Sequence, residues 1–277
     1  MASRLPTETP HLAFIGGGNM ACAILGGLIA AGHPRERLSV VEPHAPQADI
    51  VRERFGIEVD ATGGAALAAA QVVIWAVKPQ VFRDAAAPCA AFVGAALHLS
   101  VMAGIRSDAI AQATGSERVV RAMPNTPALI GQGIAGLFAR AAVTAADCAV
   151  IERVLSPTGE TLWVAHEADL DAVTALSGSG PAYVFFFLEA MAQAAAGMGL
   201  SAEQGRRLAE ATFSGATSLA RASEDKLETL RGRVTSRGGT THAAISSMEA
   251  AGVKPAIVAA LRAAQARARE LGDEFQR

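Results

Sequence analysis

The stretch Phe14-Ile15-Gly16-Gly17-Gly18-Asn19-Met20-Ala21 decides the fold. Residues 11–15 are apolar enough for a buried strand, and an alanine-rich helical pattern runs from Ala21 to Gly32. Between them stands G-x-G-x-x-A, a spacing that signals a dinucleotide-binding turn when a strand precedes it and a helix follows. Gly16 allows the tight turn, Gly18 lets the backbone approach a pyrophosphate, and Ala21 lets helix and sheet pack closely. The helix start, with Asn19 and Met20, turns free N–H groups and the positive end of the peptide dipoles toward the phosphates. Hairpins and ordinary loops also use glycine, so the flanking elements carry the inference.

Working outward, the first half alternates strand-like and helix-like runs. The strands expected are 12–15, 38–41, 72–77, 97–101, 119–123, 134–138 and 162–164, with helices at 19–31, 46–55, 107–114 and 145–155. Short apolar strands separated by helices imply a mostly parallel sheet covered on both faces. From about Asp169 the strand signals stop, and 169–177, 181–197, 202–221, 240–251 and 255–271 read as helices. Ser201 before Ala202-Glu203-Gln204 is a capping-box arrangement, and Pro181 and Pro255 suit first-turn positions. The long apolar helices expose more surface than a small bundle covers alone, so this half is expected to dimerise. The fold class is thus α/β, a doubly wound N-terminal domain over 11–168 followed by an all-α dimerisation domain over 169–277. Residues 1–10 read as a flexible, polar tail without a secretory pattern.

Composition narrows the function classes. Of 277 residues, 51% are hydrophobic and 18% charged, which supports a substantial core. A net charge of −2 gives no basic excess for nucleic acid or an anionic membrane. Cys22, Cys89 and Cys148 are odd in number and far apart, offering neither a disulfide framework nor a zinc spacing, and fit a reducing cytoplasm. The histidines are equally scattered, so no metal is expected. The most apolar stretch, 182–200, is broken by Glu189 and Gln193 and reads as a buried core helix rather than a membrane span.

In such a sheet, ligands bind beyond the carboxyl ends of the strands. Glu42, after the second strand, is either the acidic side chain that bonds an adenosine ribose diol or a solvated strand-end charge. The first reading favours NAD, because a carboxylate repels the 2′-phosphate of NADP. Ala76-Val77-Lys78-Pro79 ends another strand; Lys78 is either a phosphate or ribose contact or simply exposed. Asn125 and Thr126, in Met123-Pro124-Asn125-Thr126-Pro127, supply hydrogen bonds in a rigid exit turn, for the cofactor or for the turn itself. Late in the chain, Val234-Thr235-Ser236-Arg237-Gly238-Gly239-Thr240-Thr241 gathers hydroxyls and glycines before a helix. That is a ready site for a small carboxylate, or else a loop in which Thr240 caps the helix.

These segments, with Leu176-Ser177-Gly178-Ser179-Gly180-Pro181-Ala182-Tyr183, resemble the pyrroline-5-carboxylate reductase family in order and over nearly the whole chain. The resemblance implies a Rossmann domain, an interlocking helical dimerisation domain, and dimers assembled further into decamers of five dimers. It implies reduction of L-1-pyrroline-5-carboxylate to L-proline with NADPH or NADH. Gly16, Gly18, Asn19, Met20, Glu42, Ala76, Val77, Lys78, Pro79, Asn125 and Thr126 would serve the cofactor. Ser236, Gly238, Gly239, Thr240 and Thr241 would hold the substrate carboxylate, the Thr241 hydroxyl meeting the ring nitrogen as the catalytic group. Two departures stand out: Arg237 replaces a usual proline, and Lys226-Leu227 replaces a common His-Pro pair. They bear on fine geometry and substrate range, not on reaction class.

Two rivals share parts of this pattern. A hydroxyacid dehydrogenase of the same plan needs a helix-borne lysine, yet the C-terminal lysines are Lys226, in a charged run, and Lys254, just before Pro255. A non-catalytic dinucleotide sensor would keep the first turn and need no late anion loop.

Overall fold

The computed structural model describes residues 9–275; the tail expected over 1–10 lies, up to residue 8, outside the described residues. Eight strands form one sheet among them: β1 Leu12–Ile15, β2 Leu38–Val41, β3 Val59–Asp60, β4 Val72–Trp75, β5 Leu97–Ser100, β6 Val119–Met123, β7 Gly133–Ala139 and β8 Gly159–Trp163. Their order is 3-2-1-4-5-6-7-8. The first six run parallel, β7 lies antiparallel to β6, and β8 is parallel to β7. This is the doubly wound order, with its reversal between β1 and β4.

Strand side chains alternate between two cores. Leu12, Phe14, Val72 and Ile74 face one cluster, with Ile24 and Leu25 of α1 (Asn19–Ala30), Val51 and Phe55 of α2 (Ala45–Phe55) and, farther along, Ile151. Ala13, Ile15, Val73 and Trp75 face the other, with Phe82 of α3 (Phe82–Ala86), Val93 of α4 (Ala90–Val93) and Ile110 of α5 (Ser107–Thr114). Period-two alternation places every second side chain on the opposite face, so both sides need apolar residues and both need a helical cover. The helix α6 (Ala145–Leu155) begins with a capping box, Thr144 and Asp147 each bonding the other's backbone N–H.

The chain divides into two compact units, one running to Ser179 and resuming at Ala264, the other Gly180–Ala263. The expected domain edge at 168/169 and this edge bracket α7 (Asp169–Val173) and its π-helical continuation Thr174–Gly178. Val173 packs so closely on Gly136 of β7 that a Cβ there would lie 2.6 Å from its Cγ1. Two ion pairs hold the segment around α7 in place: Arg121 of β6, an interior strand, donates to Glu167 just before α7 (2.8 Å), and Arg106, just before α5, donates to Asp171 (3.1 Å). Glu167 also accepts from the Ser107 N–H and hydroxyl.

The second unit holds α8 (Gly180–Gly197), α9 (Ala202–Arg221), α10 (Leu227–Arg233), α11 (Thr240–Ala250) and the start of α12 (Val253–Glu274). The capping box at Ser201 is present: its hydroxyl accepts from the Gln204 N–H at 3.2 Å and its N–H donates to Gln204 Oε1 at 2.8 Å. Helices α8 and α9 meet where Gly205 faces Ala195, an approach a Cβ would close to 2.8 Å. The stretch 182–200 is not a buried core helix within one chain. Only Ala195 of α8 is buried, whereas Phe185 and Phe186 are 59% and 69% exposed. The physical reason is that one small layer of helices has nothing of its own to place over that face. Among the described residues no single helix is long and apolar enough to cross a membrane; a bent pair, Thr240–Ala250 with Val253–Glu274, reaches that composition only across a 54° break.

Candidate active site

The glycine turn sits at the strand-order reversal. Gly16 has φ +98°, and a Cβ on it would lie 2.8 Å from the Ala76 carbonyl oxygen and 2.9 Å from Val77 Cγ1. Its N–H donates to Val41 (2.8 Å), while Ala76 N–H donates to Ile15 (2.9 Å). So Gly16, Ala76 and Val77 come together, and only glycine satisfies both the left-handed backbone and the close approach. Gly18 is different: its φ is −70° and nothing lies within 4 Å of where its Cβ would be. It precedes α1 without a side-chain cap, so the helix start with Asn19 and Met20 leaves its first N–H groups open beside free space. The turn therefore has the cradle a pyrophosphate requires.

Glu42 is held on both oxygens. Oε2 accepts from the Gly17 N–H (2.9 Å) and Oε1 from the His44 N–H (3.0 Å). Gln47 closes the ring, its Nε2 donating to the Gly17 carbonyl at 2.6 Å. Gly17 and Gln47 were not singled out by sequence reasoning; the only cue was a glutamine in the first turn of the helix after Glu42. Lys78 is exposed and precedes the short 3₁₀ turn Pro79–Val81. Asn125 spends its side-chain oxygen on the Ile134 N–H (3.0 Å), and the 3₁₀ turn Thr126–Ile130 packs against α1 with Thr126 exposed. Turn chemistry thus engages the Asn125 oxygen.

The second cluster lies in the helical unit. Gly238 has φ +76° and open space around it, and the Gly239 N–H donates to Ser236 (3.0 Å). Gly239, not Thr240, is the residue before α11, and no side chain caps that helix. Thr240 is instead the first helical residue, because Gly239 already supplies the extended backbone a cap position needs. The start of α11 thus has no side-chain cap, with Ser236 and Thr240 exposed and Thr241 half-buried beside it. Arg237 and His242 are exposed. Among the described residues no three His, Cys, Asp or Glu side chains are grouped for a metal.

Strand order, glycine turn and cradle define a nicotinamide-dinucleotide oxidoreductase. The family model described as "NADP oxidoreductase coenzyme F420-dependent" matches residues 11–104, and the one described as "Pyrroline-5-carboxylate reductase dimerisation" matches 167–271. A pyrroline-5-carboxylate reductase of Pseudomonas aeruginosa is 44% identical over 97% of this chain and 99% of its own length. The structure of a Coxiella burnetii pyrroline-5-carboxylate reductase superposes with a TM-score of 0.89 at 36% identity, covering 95% of this chain and 99% of that one. A Plasmodium falciparum pyrroline carboxylate reductase with NADP bound has a TM-score of 0.85 at 26% identity over 96% and 99% of the two chains. The chain belongs to the pyrroline-5-carboxylate reductase family.

Proposed function

We propose that this chain reduces L-1-pyrroline-5-carboxylate to L-proline with NAD(P)H, the last step of proline biosynthesis, as a cytoplasmic homodimer that assembles into a decamer. The observation that carries the substrate reading is the uncapped start of α11, where Ser236, Gly238, Gly239, Thr240 and Thr241 offer N–H and hydroxyl donors. Such a site takes one small carboxylate and orients the ring attached to it.

The bound dinucleotide supplies the hydride that adds to the imine carbon, while the C=N electron pair moves to nitrogen. Gly16, Gly18, Asn19, Met20, Glu42, Ala76, Val77, Lys78, Pro79, Asn125 and Thr126 are assigned to holding it. The Thr241 hydroxyl, at the helical end of the carboxylate grip, hydrogen-bonds the ring nitrogen, steadies its proton and leaves a secondary amine. No strong acid is needed, because a protonated imine is already electrophilic. Free thiols at Cys22, Cys89 and Cys148 support a reducing compartment, and the exposed apolar face of α8 supports subunit pairing.

Steady-state oxidation of both reduced dinucleotides with the cyclic imine tests the activity. Thr241→Ala is expected to lower turnover at least tenfold while changing dinucleotide affinity much less; tenfold equals about 1.4 kcal/mol of barrier. Equal turnover by that variant would remove Thr241 from the mechanism.

A further inference from the structure

We propose that Glu42 makes this chain select NADH over NADPH. The inference rests on the glycine turn being the dinucleotide site, and adds to it the choice between two coenzymes that differ only by a phosphate on the adenosine ribose.

A loose strand-end carboxylate could swing away from a 2′-phosphate and discriminate little. Glu42 cannot do so without breaking two charge-assisted hydrogen bonds, one to the turn itself at Gly17 and one to His44 just before α2. The Gln47 amide braces the Gly17 peptide from the other side. A carboxylate accepts about four hydrogen bonds. Two are used here, so two acceptor sites remain, the number that a 2′,3′-diol donates to. A 2′-phosphate replaces one of those hydroxyl donors with oxygens that mainly accept, and brings a charge of about −1.5 to −2.

The surroundings do not compensate. The His44 N–H at the start of α2, where an added phosphate would be drawn, already bonds the chain's own anion. Arg52 is committed to Asp49 (2.8 Å) and to the Val59 carbonyl (2.7 Å). Arg54 lies over the Phe55 ring, 5.1 Å from its centre. Lys78 leaves β4, on the far side of β1 from β2, roughly 10 Å of sheet away. A phosphate at the Glu42 position would therefore meet a fixed negative charge and no committed cation of its own.

The test is equilibrium binding, by titration calorimetry, of NADH and NADPH to the purified full chain without the imine. NADH is expected to bind at least tenfold more tightly. Glu42→Gln and Glu42→Ala are each made, with thermal unfolding measured to establish that they fold. In both, the ratio of the two dissociation constants is expected to fall toward one, NADPH gaining as NADH loses. Equal affinities or tighter NADPH binding by the native chain would overturn the inference. So would an unchanged ratio in both folded variants. Failure of either dinucleotide to bind at all would instead remove the dinucleotide reading of the turn, and the selection with it.

Discussion

His98, in the middle of β5, makes folding stability depend on pH in a calculable way. It has no exposed surface; its Nδ1 accepts from Trp75 Nε1 at 3.1 Å, and its Nε2 has no hydrogen bond of proper geometry. Burial pulls its pKa from 6.5 to about 4, the nearby Val93 carbonyl opposing that shift and the Arg118 charge adding to it. Between these values the unfolded chain takes up a proton that the folded chain refuses. The contribution is therefore complete above pH 6.5, declines as pH falls, and is gone by about pH 4. At about 1.36 kcal/mol per pK unit the whole effect is about 3 kcal/mol, of which roughly 2 is lost by about pH 5. His98→Asn keeps an acceptor near Nδ1 for the indole but cannot titrate. It costs stability at every pH through the space it vacates, yet its stability should fall less steeply from about pH 7 to about pH 5, by roughly 2 kcal/mol. Urea unfolding at fixed subunit concentration, followed by tryptophan emission, measures both slopes. Parallel pH profiles for the two proteins would refute the account of a neutral, unsolvated imidazole.

Other consequences follow from single contacts. Gly16→Ala places a methyl 2.8 Å from the Ala76 carbonyl at φ +98°, so it should cost well over ~1 kcal/mol of stability and abolish dinucleotide binding, read by calorimetry. Glu167→Ala strips the buried Arg121 guanidinium of its carboxylate and Ser107 of its acceptor, and should cost about 3–5 kcal/mol in denaturant unfolding. Phe186→Asp, on the 69% exposed ring of α8, should raise the dimer dissociation constant at least tenfold in sedimentation while leaving the sheet-bearing unit folded.

Much of this architecture was legible because its signals are local. The runs 12–15, 38–41 and 119–123 coincide with β1, β2 and β6, since short runs that are apolar but for Ser39 and Arg121, set between turn formers, have few alternatives. Val59–Asp60 escaped notice because two residues carry no period, and its place is set by pairing with Val40 and Val41. The helix Leu227–Arg233 was hidden by its charges and by Gly232. Pattern reading found the helix beginning near Pro255 but not that its last part, from Ala264, belongs with the sheet-bearing unit, where Phe275 packs on Gly104. A periodic stripe says that a face is buried, not against what. The site divides the same way: glycine spacing and a polar helix entrance were visible as composition, whereas the grip on Glu42 depends on backbone N–H groups, which leave no mark in residue identity.

The two-sided sheet also constrains how this chain can change length. Adding one residue inside β4 would carry Trp75 toward the α1 side and Ile74 toward α5, parting the indole from the imidazole it bonds. No neighbouring rotamer change can undo such a shift of reading frame, because every residue downstream in the strand inverts with it. Viable insertions and deletions are thereby confined to the connections, and sequence length within the strands becomes as strongly specified as sequence itself.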